Sequence, residues 1–282
     1  MEKTRPLLVA FQGERGAYSE QAALAYFGSQ ADTLAYPGLD RVFESVECSA
    51  SEYGVVPIEN FYAGTIVQTF DLLDRHRLFI VGECMHRVVH ALLGPKGSTL
   101  SDVKRAFSHP QALGQCETFL REHGIEAVPA FDTAGAAREV SQRGIASEAA
   151  IAHATCAKIY GLRVLRRSIQ ATRRNITRFL VLGREPVRPT GNVKTSLLFE
   201  TRHLPSALYK ALGGFATNGV NLTKIESRPS RRKPMDYRFY LDFEGSPEDK
   251  AIKNALRELR FFSKRVRIFG TYLKSTGCSA NV

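Results

Sequence analysis

Residues 175–182, Asn-Ile-Thr-Arg-Phe-Leu-Val-Leu, place an amide, a hydroxyl and a guanidinium at the start of one apolar run. The run predicts a strand in which Thr177 and Phe179 face one side and Arg178 faces the other. An arginine among aliphatic residues needs an anion, and this is either a protein carboxylate or a carboxylate of a substrate. Thr177 is a candidate hydroxyl donor, although a β-branched residue also suits a strand without chemistry.

Two further polar groups follow predicted strands. The glycine-containing loop Gly13–Ser19 follows a strand at 7–12 and leads into a helix that we expect Ser19 to cap. Such a loop presents backbone N–H groups to an anion, although a tight turn explains it equally well. Glu59 and Asn60 end an apolar run, which is where ligands gather in open α/β sheets.

Histidines and cysteines give no sign of a metal site or a disulfide framework. His86 and His90 are four residues apart, a spacing that suits zinc on a helix, but they lie in a predicted strand and lack a nearby third ligand. The five cysteines are scattered and form no C-x-x-C pair, which favours free thiols in a reducing compartment. We therefore expect neither feature.

Composition favours a globular enzyme, because 44% hydrophobic and 24% charged residues are ordinary for that class. A net charge of +11 suggests nucleic acid, but the basic residues fall in two groups, 163–178 and 228–233, without a nucleic-acid motif. We expect this charge to attract an acidic small molecule. The sequence contains neither an apolar run approaching the roughly 20 residues of a membrane span nor a signal-peptide pattern, so we expect a cytoplasmic protein.

Strands and helices alternate over about the first 180 residues and predict α/β architecture. Strands are predicted at 7–12, 53–60, 78–82, 88–93, 105–108 and 127–131, and helices at 19–25, 65–73, 110–124 and 134–143. The segment 147–160 is ambiguous. It is either one helix capped by Ser147, or a strand at 149–152 followed by a helix from His153.

The segment 184–192, rich in proline and glycine, indicates a linker. Beyond it the pattern is β-α-β-β-α-β, with strands at 194–200, 221–227, 237–244 and 266–273 and helices at 205–217 and 246–262. This order is typical of the ferredoxin-like arrangement. We expect the segment to be a ligand-sensing or dimerising module.

Together these stretches resemble the prephenate dehydratases and the related arogenate dehydratases with a C-terminal ACT domain. The matching motifs lie, in order, at 13–19, 56–60, 108–116, 132–137, 159–162, 175–179 and, in the ACT part, 222–229. The resemblance implies a two-lobed catalytic domain similar to periplasmic binding proteins at 5–185, a linker at 186–193 and an ACT domain at 194–274. One lobe would be 7–82 with the strand at 176, and the other 83–160.

The resemblance also implies a reaction and its residues. Prephenate would lose its ring hydroxyl and ring carboxylate together, giving phenylpyruvate, water and carbon dioxide without a metal or cofactor. Thr177 would be the key catalytic residue, with Asn60 and Arg178. Substrate-binding residues would be Tyr18, Ser19, Glu59, Gln111, Thr133 and Phe179. L-Phenylalanine would act as allosteric inhibitor of a homodimer or homotetramer, bound by Leu204, Ser206, Ala207, Leu208, Asn221, Leu222, Glu226 and Ser227.

Three positions depart from the family pattern. Phe61 and His153 stand where the family usually has a hydroxyl residue in stretches that line or cap the cleft, and this puts efficiency or substrate choice in question. Ser206 stands where glycine is usual, which could weaken inhibition by phenylalanine. The sequence leaves open whether prephenate or arogenate is preferred, and whether the chain is instead a non-catalytic amino-acid sensor.

Overall fold

The computed structural model describes residues 5–172, 174–202, 204–230 and 236–275. The predicted basic segment 228–233 therefore lies partly outside the described residues. Internal contacts divide the chain into two units, one of residues 5–69 and 84–179, the other of residues 70–83 and 180–275. Within the described ranges, no helix combines the length and the apolar character needed to cross a bilayer.

The first part of the chain alternates strands and helices, as predicted. In order they are β1 (Leu7–Gln12), α1 (Tyr18–Phe27), β2 (Ala31–Tyr36), α2 (Leu39–Glu47), β3 (Tyr53–Asn60), β4 (Gly64–Thr65), α3 (Val67–Arg75) and β5 (Phe79–Arg87). There follow β6 (Ala91–Gly94), β7 (Arg105–Ser108), α4 (Pro110–Gln115), α5 (Glu117–Glu122), β8 (Glu126–Pro129), α6 (Thr133–Arg143), β9 (Glu148–Ala152), α7 (Thr155–Tyr160), β10 (Arg163–Arg167) and β11 (Ile176–Gly183).

These strands form two sheets. One has the order β2-β1-β3-β11-β5, with β4 paired to β3, and the other has the order β10-β6-β9-β7-β8. Pairs β1–β2, β1–β3, β7–β8 and β7–β9 are parallel, with helices in the connections. The predicted α/β class is confirmed.

Three local predictions differ from the structure. Ser19 is the second residue of α1 rather than its cap, because the loop is instead closed by the buried Glu20 carboxylate, which accepts from Gly16 N–H at 2.5 Å. The predicted helix at 110–124 is interrupted at Cys116, between α4 and α5. Thr65 pairs in β4 instead of capping α3.

The ambiguous segment 147–160 adopts its second alternative, strand β9 followed by α7. Strand β9 is completely buried and pairs with both β6 and β7. These two pairings outweigh the helix propensity of its alanines. The helix begins at Thr155, two residues after the predicted start at His153.

Residues 184–192 contain neither helix nor strand, as expected for the predicted linker. Beyond them lie β12 (Val193–Thr201), α8 (Ala207–Thr217), β13 (Leu222–Pro229), β14 (Tyr237–Glu244), α9 (Lys250–Phe262) and β15 (Ser263–Leu273). The strands form a sheet of order β13-β14-β12-β15 with antiparallel pairs. The predicted ferredoxin-like order is confirmed.

Residues 70–83 are bound to this C-terminal sheet, inside the second unit. Arg267 donates to the carbonyls of Leu73 at 2.9 Å and His76 at 2.6 Å, at the end of α3. Lys194 donates to both carboxylate oxygens of Glu83, at 2.9 and 3.0 Å, and both side chains are buried. The pair satisfies two charges that would be costly to bury alone.

Candidate active site

Thr177 and Phe179 line a cavity of about 730 Å³ within the first unit. Their side chains share one face of β11, as the alternating pattern predicted, and Thr177 is only 7% exposed. The volume suits a small-molecule site. Parts of the wall come from strands of the first sheet, such as Asn60, and parts from segments that follow strands of the second sheet, such as His109 after β7.

The orientation of the Asn60 side chain is fixed by the backbone. Its Oδ1 accepts from the N–H groups of Tyr62 at 3.0 Å and Ala63 at 2.8 Å. The amide NH₂ must therefore point the other way, where Nδ2 lies 2.9 Å from Thr177 Oγ1 and 2.7 Å from Asn175 Oδ1. Asn60 is consequently a donor to the threonine.

This orientation leaves the Thr177 hydroxyl as a donor. Its oxygen accepts from Asn60, and its hydrogen has no acceptor among the described residues. The hydroxyl lies in the cavity wall, so its hydrogen is available to a bound ligand. Thr177 can therefore donate to a developing negative charge or to a leaving hydroxyl group.

Three helices begin at the cavity, and their first residues line it. Tyr18 and Ser19 belong to the first turn of α1, Gln111 to that of α4 and Thr133 to that of α6. The backbone N–H groups of Ser19 and Thr133 have no acceptor among the described residues. Helix N-termini of this kind attract carboxylates.

Arg178 is placed outside this wall. Its guanidinium is 3% exposed and donates to the Glu59 carboxylate at 3.1 Å. Neither residue belongs to the cavity lining, although both were predicted around the substrate. The anion that Arg178 needs is therefore the Glu59 carboxylate of the protein itself, one of the two alternatives that the sequence left open. No lysine or arginine belongs to the described lining.

Phe61 and His153, two of the three departures from the family pattern, also lie outside the lining. Phe61 is 61% exposed. His153 packs edge-on against Tyr18, with ring centroids 5.6 Å apart, and its Nδ1 lies 2.8 Å from Thr155 Oγ1. His153 therefore contacts the cavity wall at the Tyr18 ring.

The lining residues that were not predicted as site residues include three that can take part in polar interactions or carry charge: His90, Gln115 and Asp132. His90 and Gln115 are almost fully buried and bonded to each other, with Nε2 2.7 Å from Oε1. Asp132 caps α6 by accepting from Gly135 N–H at 2.6 Å. In the sequence, His90 and Gln115 are visible only as polar residues in apolar runs. That pattern indicates a site only once the hydrogen-bond partner of each residue is known.

The eight predicted phenylalanine-binding residues lie in two segments of the second unit. Leu204 to Leu208 form the turn before α8 and its first residues, where Ser206 adopts a left-handed conformation with φ of 62°. Residues 221–227 belong to β13, an edge strand, or directly precede it. Leu204 and Leu208 are exposed. The binding role of these positions stays a prediction.

Comparison with known proteins agrees with this geometry. The family model described as prephenate dehydratase matches residues 9–187. An arogenate dehydratase/prephenate dehydratase of Arabidopsis thaliana is 44% identical over 275 residues, covering 94% of this chain and 72% of the relative. A bifunctional N-acyl-homoserine lactone acylase/prephenate dehydratase of Komagataeibacter europaeus is 40% identical, covering 94% and 95%.

A solved structure of prephenate dehydratase in complex with L-Phe from Arthrobacter aurescens is also similar. It is 30% identical, superposes with a TM-score of 0.87, and covers 95% of this chain and 90% of its own. The matches to these two relatives and to the solved structure extend across nearly the whole chain. The chain therefore belongs to the prephenate dehydratase family.

Proposed function

We propose that this chain converts prephenate to phenylpyruvate, water and carbon dioxide, as a decarboxylating carbon-oxygen lyase. The observation that carries the proposal is the Thr177 hydroxyl. Asn60 fixes it as a donor in the wall of a cavity at which three helices begin. The site thus combines a hydrogen-bond donor for a leaving hydroxyl with N–H groups for carboxylates.

The chemistry demands little more from the protein, because aromatisation of the ring drives the reaction. Thr177 donates to the ring hydroxyl as the carbon–oxygen bond breaks, and carbon dioxide leaves from the opposite ring carbon. A hydroxyl is too weak an acid to lose its proton outright, so its contribution is a hydrogen bond that strengthens in the transition state. The N–H groups at Ser19 and Thr133 hold the side-chain carboxylate of the substrate, and the departing ring carboxylate needs a dry pocket.

We also propose that residues 194–274 are an ACT regulatory domain that binds L-phenylalanine. Two observations support this: the ferredoxin-like order of strands and helices, and the similarity to a dehydratase solved with L-Phe. The predicted positions on α8 and β13 include exposed apolar side chains, as expected for a site completed by a second copy. Because such a site needs a second copy, we propose that the chain forms a homodimer or homotetramer.

Arogenate is a second candidate substrate, and one feature favours it. The Asp132 carboxylate lines the cavity, and only its Oδ1 is used for capping α6 among the described residues. Its other oxygen can bind the ammonium group that arogenate carries in place of the keto group of prephenate. Several relatives are named arogenate dehydratases.

The test is to incubate the purified protein with prephenate and with arogenate and to follow phenylpyruvate and phenylalanine. We expect Thr177→Val to lower kcat at least about 10²-fold, the loss typical of one preorganised donor, with little change in melting temperature. Thr177→Ser, which keeps the hydroxyl, is the matched control and should retain most of the activity. Equal rates for wild type and Thr177→Val would refute the assignment.

A further inference from the structure

His90 and Tyr18 form a hydrogen-bonded pair in the cavity wall that the chemistry above does not use. The direction of the bond on one side of the His90 ring is fixed by its partners. Gln115 Oε1 accepts from Asn175 Nδ2 at 2.7 Å, and Asn175 is itself oriented by Asn60. The same oxygen lies 2.7 Å from His90 Nε2, so this nitrogen must carry a hydrogen.

When His90 is neutral, its Nδ1 carries no hydrogen, and the contacts on this side of the ring are then one hydrogen short. Tyr18 Oη lies 2.9 Å from the Val89 carbonyl oxygen and 2.8 Å from His90 Nδ1. A carbonyl only accepts, so a bond there uses the phenol hydrogen, and the contact to Nδ1 then needs a hydrogen on the ring. With one hydrogen on each ring nitrogen, all three contacts become hydrogen bonds.

The surroundings keep the ring neutral in the absence of an anion. The titratable groups that face the pair are His86 from β5, His153 from the segment before α7, and the buried thiols Cys116 and Cys156. Burial is the main cause that lowers the pKa of His90, to about 4. A positive charge on this ring therefore requires a nearby negative charge.

Prephenate brings two negative charges, and no lysine or arginine belongs to the described lining. We propose, on the basis of the proposed function, that binding of the dianionic substrate is coupled to uptake of one proton from solvent by His90. The protonated ring completes its three hydrogen bonds and provides the positive charge that the wall lacks.

The proton balance of the reaction agrees with this coupling. Prephenate dianion plus one proton gives phenylpyruvate monoanion, water and carbon dioxide, because the leaving hydroxyl departs as water. Each turnover therefore consumes a proton. A proton that enters with the substrate is one that the reaction requires.

Calorimetry tests the proposal directly. Prephenate is titrated at pH 7 into the Thr177→Val protein in phosphate and in Tris, whose different ionisation enthalpies reveal the protons taken up. We expect about one proton per site. In the same background His90→Gln, which keeps a hydrogen bond to Gln115 but does not titrate, should reduce the uptake to near zero. His86→Leu, which removes a neighbouring half-buried histidine outside the lining, should leave it unchanged.

A steady-state measurement provides an independent readout. Between the pKa of His90 in the free protein and its higher pKa in the complex, KM of the wild type for prephenate should rise about tenfold per pH unit, because one proton must bind with the substrate. Above the pKa in the complex, KM should level off. KM of His90→Gln should be higher at pH 7 and change little with pH. If His90→Gln does not fold, His90→Asn, which keeps the contact to Tyr18, replaces it.

The outcomes separate this inference from the proposed function. Binding heat without buffer dependence, or proton uptake that persists in His90→Gln, would overturn the role of His90 and leave the dehydratase intact. Absence of both turnover by the wild type and binding of prephenate or arogenate would overturn the proposed function, and this inference with it.

Discussion

The substitution Asn60→Asp reverses the hydrogen bond that makes Thr177 a donor. The introduced carboxylate keeps one oxygen on the N–H groups of Tyr62 and Ala63. Its other oxygen replaces Nδ2, 2.9 Å from Thr177 Oγ1. An ionised carboxylate there only accepts, so the threonine hydrogen turns to it and away from the cavity.

The size of the effect follows from that new bond. A hydrogen bond to a charged group contributes about 1.5–3 kcal/mol, and the threonine must break it before it can donate to the substrate. At about 1.4 kcal/mol per factor of ten, this corresponds to a fall in kcat of roughly 10- to 150-fold at neutral pH. Stability should also fall by about 1–3 kcal/mol, because the carboxylate faces Asn175 Oδ1, 2.7 Å from the original Nδ2.

Asn175 cannot relieve this conflict by rotating its amide. Its Nδ2 donates to Gln115 Oε1 at 2.7 Å, and a flipped amide would place an oxygen there instead. The kinetic loss should shrink as pH falls, because a protonated carboxyl at position 60 can again donate to Thr177. The assay is phenylpyruvate release between pH 5.5 and 8, with unfolding by urea as the stability measurement.

A double-mutant cycle tests the reasoning. If Asn60→Asp acts by redirecting the Thr177 hydroxyl, the change should cost little more once Thr177→Val has removed that hydroxyl. Losses that multiply in the double variant, or a kcat for Asn60→Asp equal to that of the wild type at pH 7, would refute it. In the Thr177→Ser background the full effect should return.

Three further predictions concern other parts of the molecule. Both ring nitrogens of His86 are buried without a hydrogen-bond partner among the described residues, and burial lowers its pKa to about 4. The unfolded chain binds the extra proton from its ordinary pKa of 6.5 downward, so this histidine removes stability as pH falls from 6.5 to 4, by up to about 1.4 kcal/mol per pH unit. His86→Leu should flatten that slope in urea unfolding at pH 7.5 and 5, and an unchanged slope would contradict the argument. Asp132→Asn keeps the cap of α6 but loses the charge, so kcat/KM for arogenate should fall about tenfold or more relative to prephenate, whereas a constant ratio would remove the case for ammonium binding. Gly270→Ala would place a Cβ 2.0 Å from the Ile80 carbonyl oxygen and should destabilise by about 1–3 kcal/mol in thermal melts, whereas Gly213→Ala, in open space on α8, should be neutral or stabilising.

Local patterns were sufficient to predict much of the fold. The period-two alternation at Thr177 and Phe179 was correct because strand geometry alone decides which side chains share a face. The prediction failed where distant pairing decides the outcome. The strand β2 (Ala31–Tyr36) was not predicted, because its alternation is weak and its conformation depends on parallel pairing with β1.

The candidate site was only partly predictable, for a related reason. Thr177 and Asn60 stand at the ends of conspicuous apolar runs. The roles of Asn175, Gln115 and His90 depend on hydrogen bonds between residues 25 to 115 positions apart. The sequence contains these residues but not the direction of the bonds between them, and that direction decides which atom donates.

The chain of oriented amides also explains why a threonine suits this position better than a stronger acid. A group at position 177 must accept from Asn60 Nδ2 and still donate to the substrate. A carboxyl group would be stabilised by that donor in its ionised form, which lowers its pKa and leaves no hydrogen to donate at neutral pH. A hydroxyl does not ionise in this range, so it accepts and donates at the same time. The weak acidity of threonine is therefore the property that lets it serve as a permanent donor in this wall.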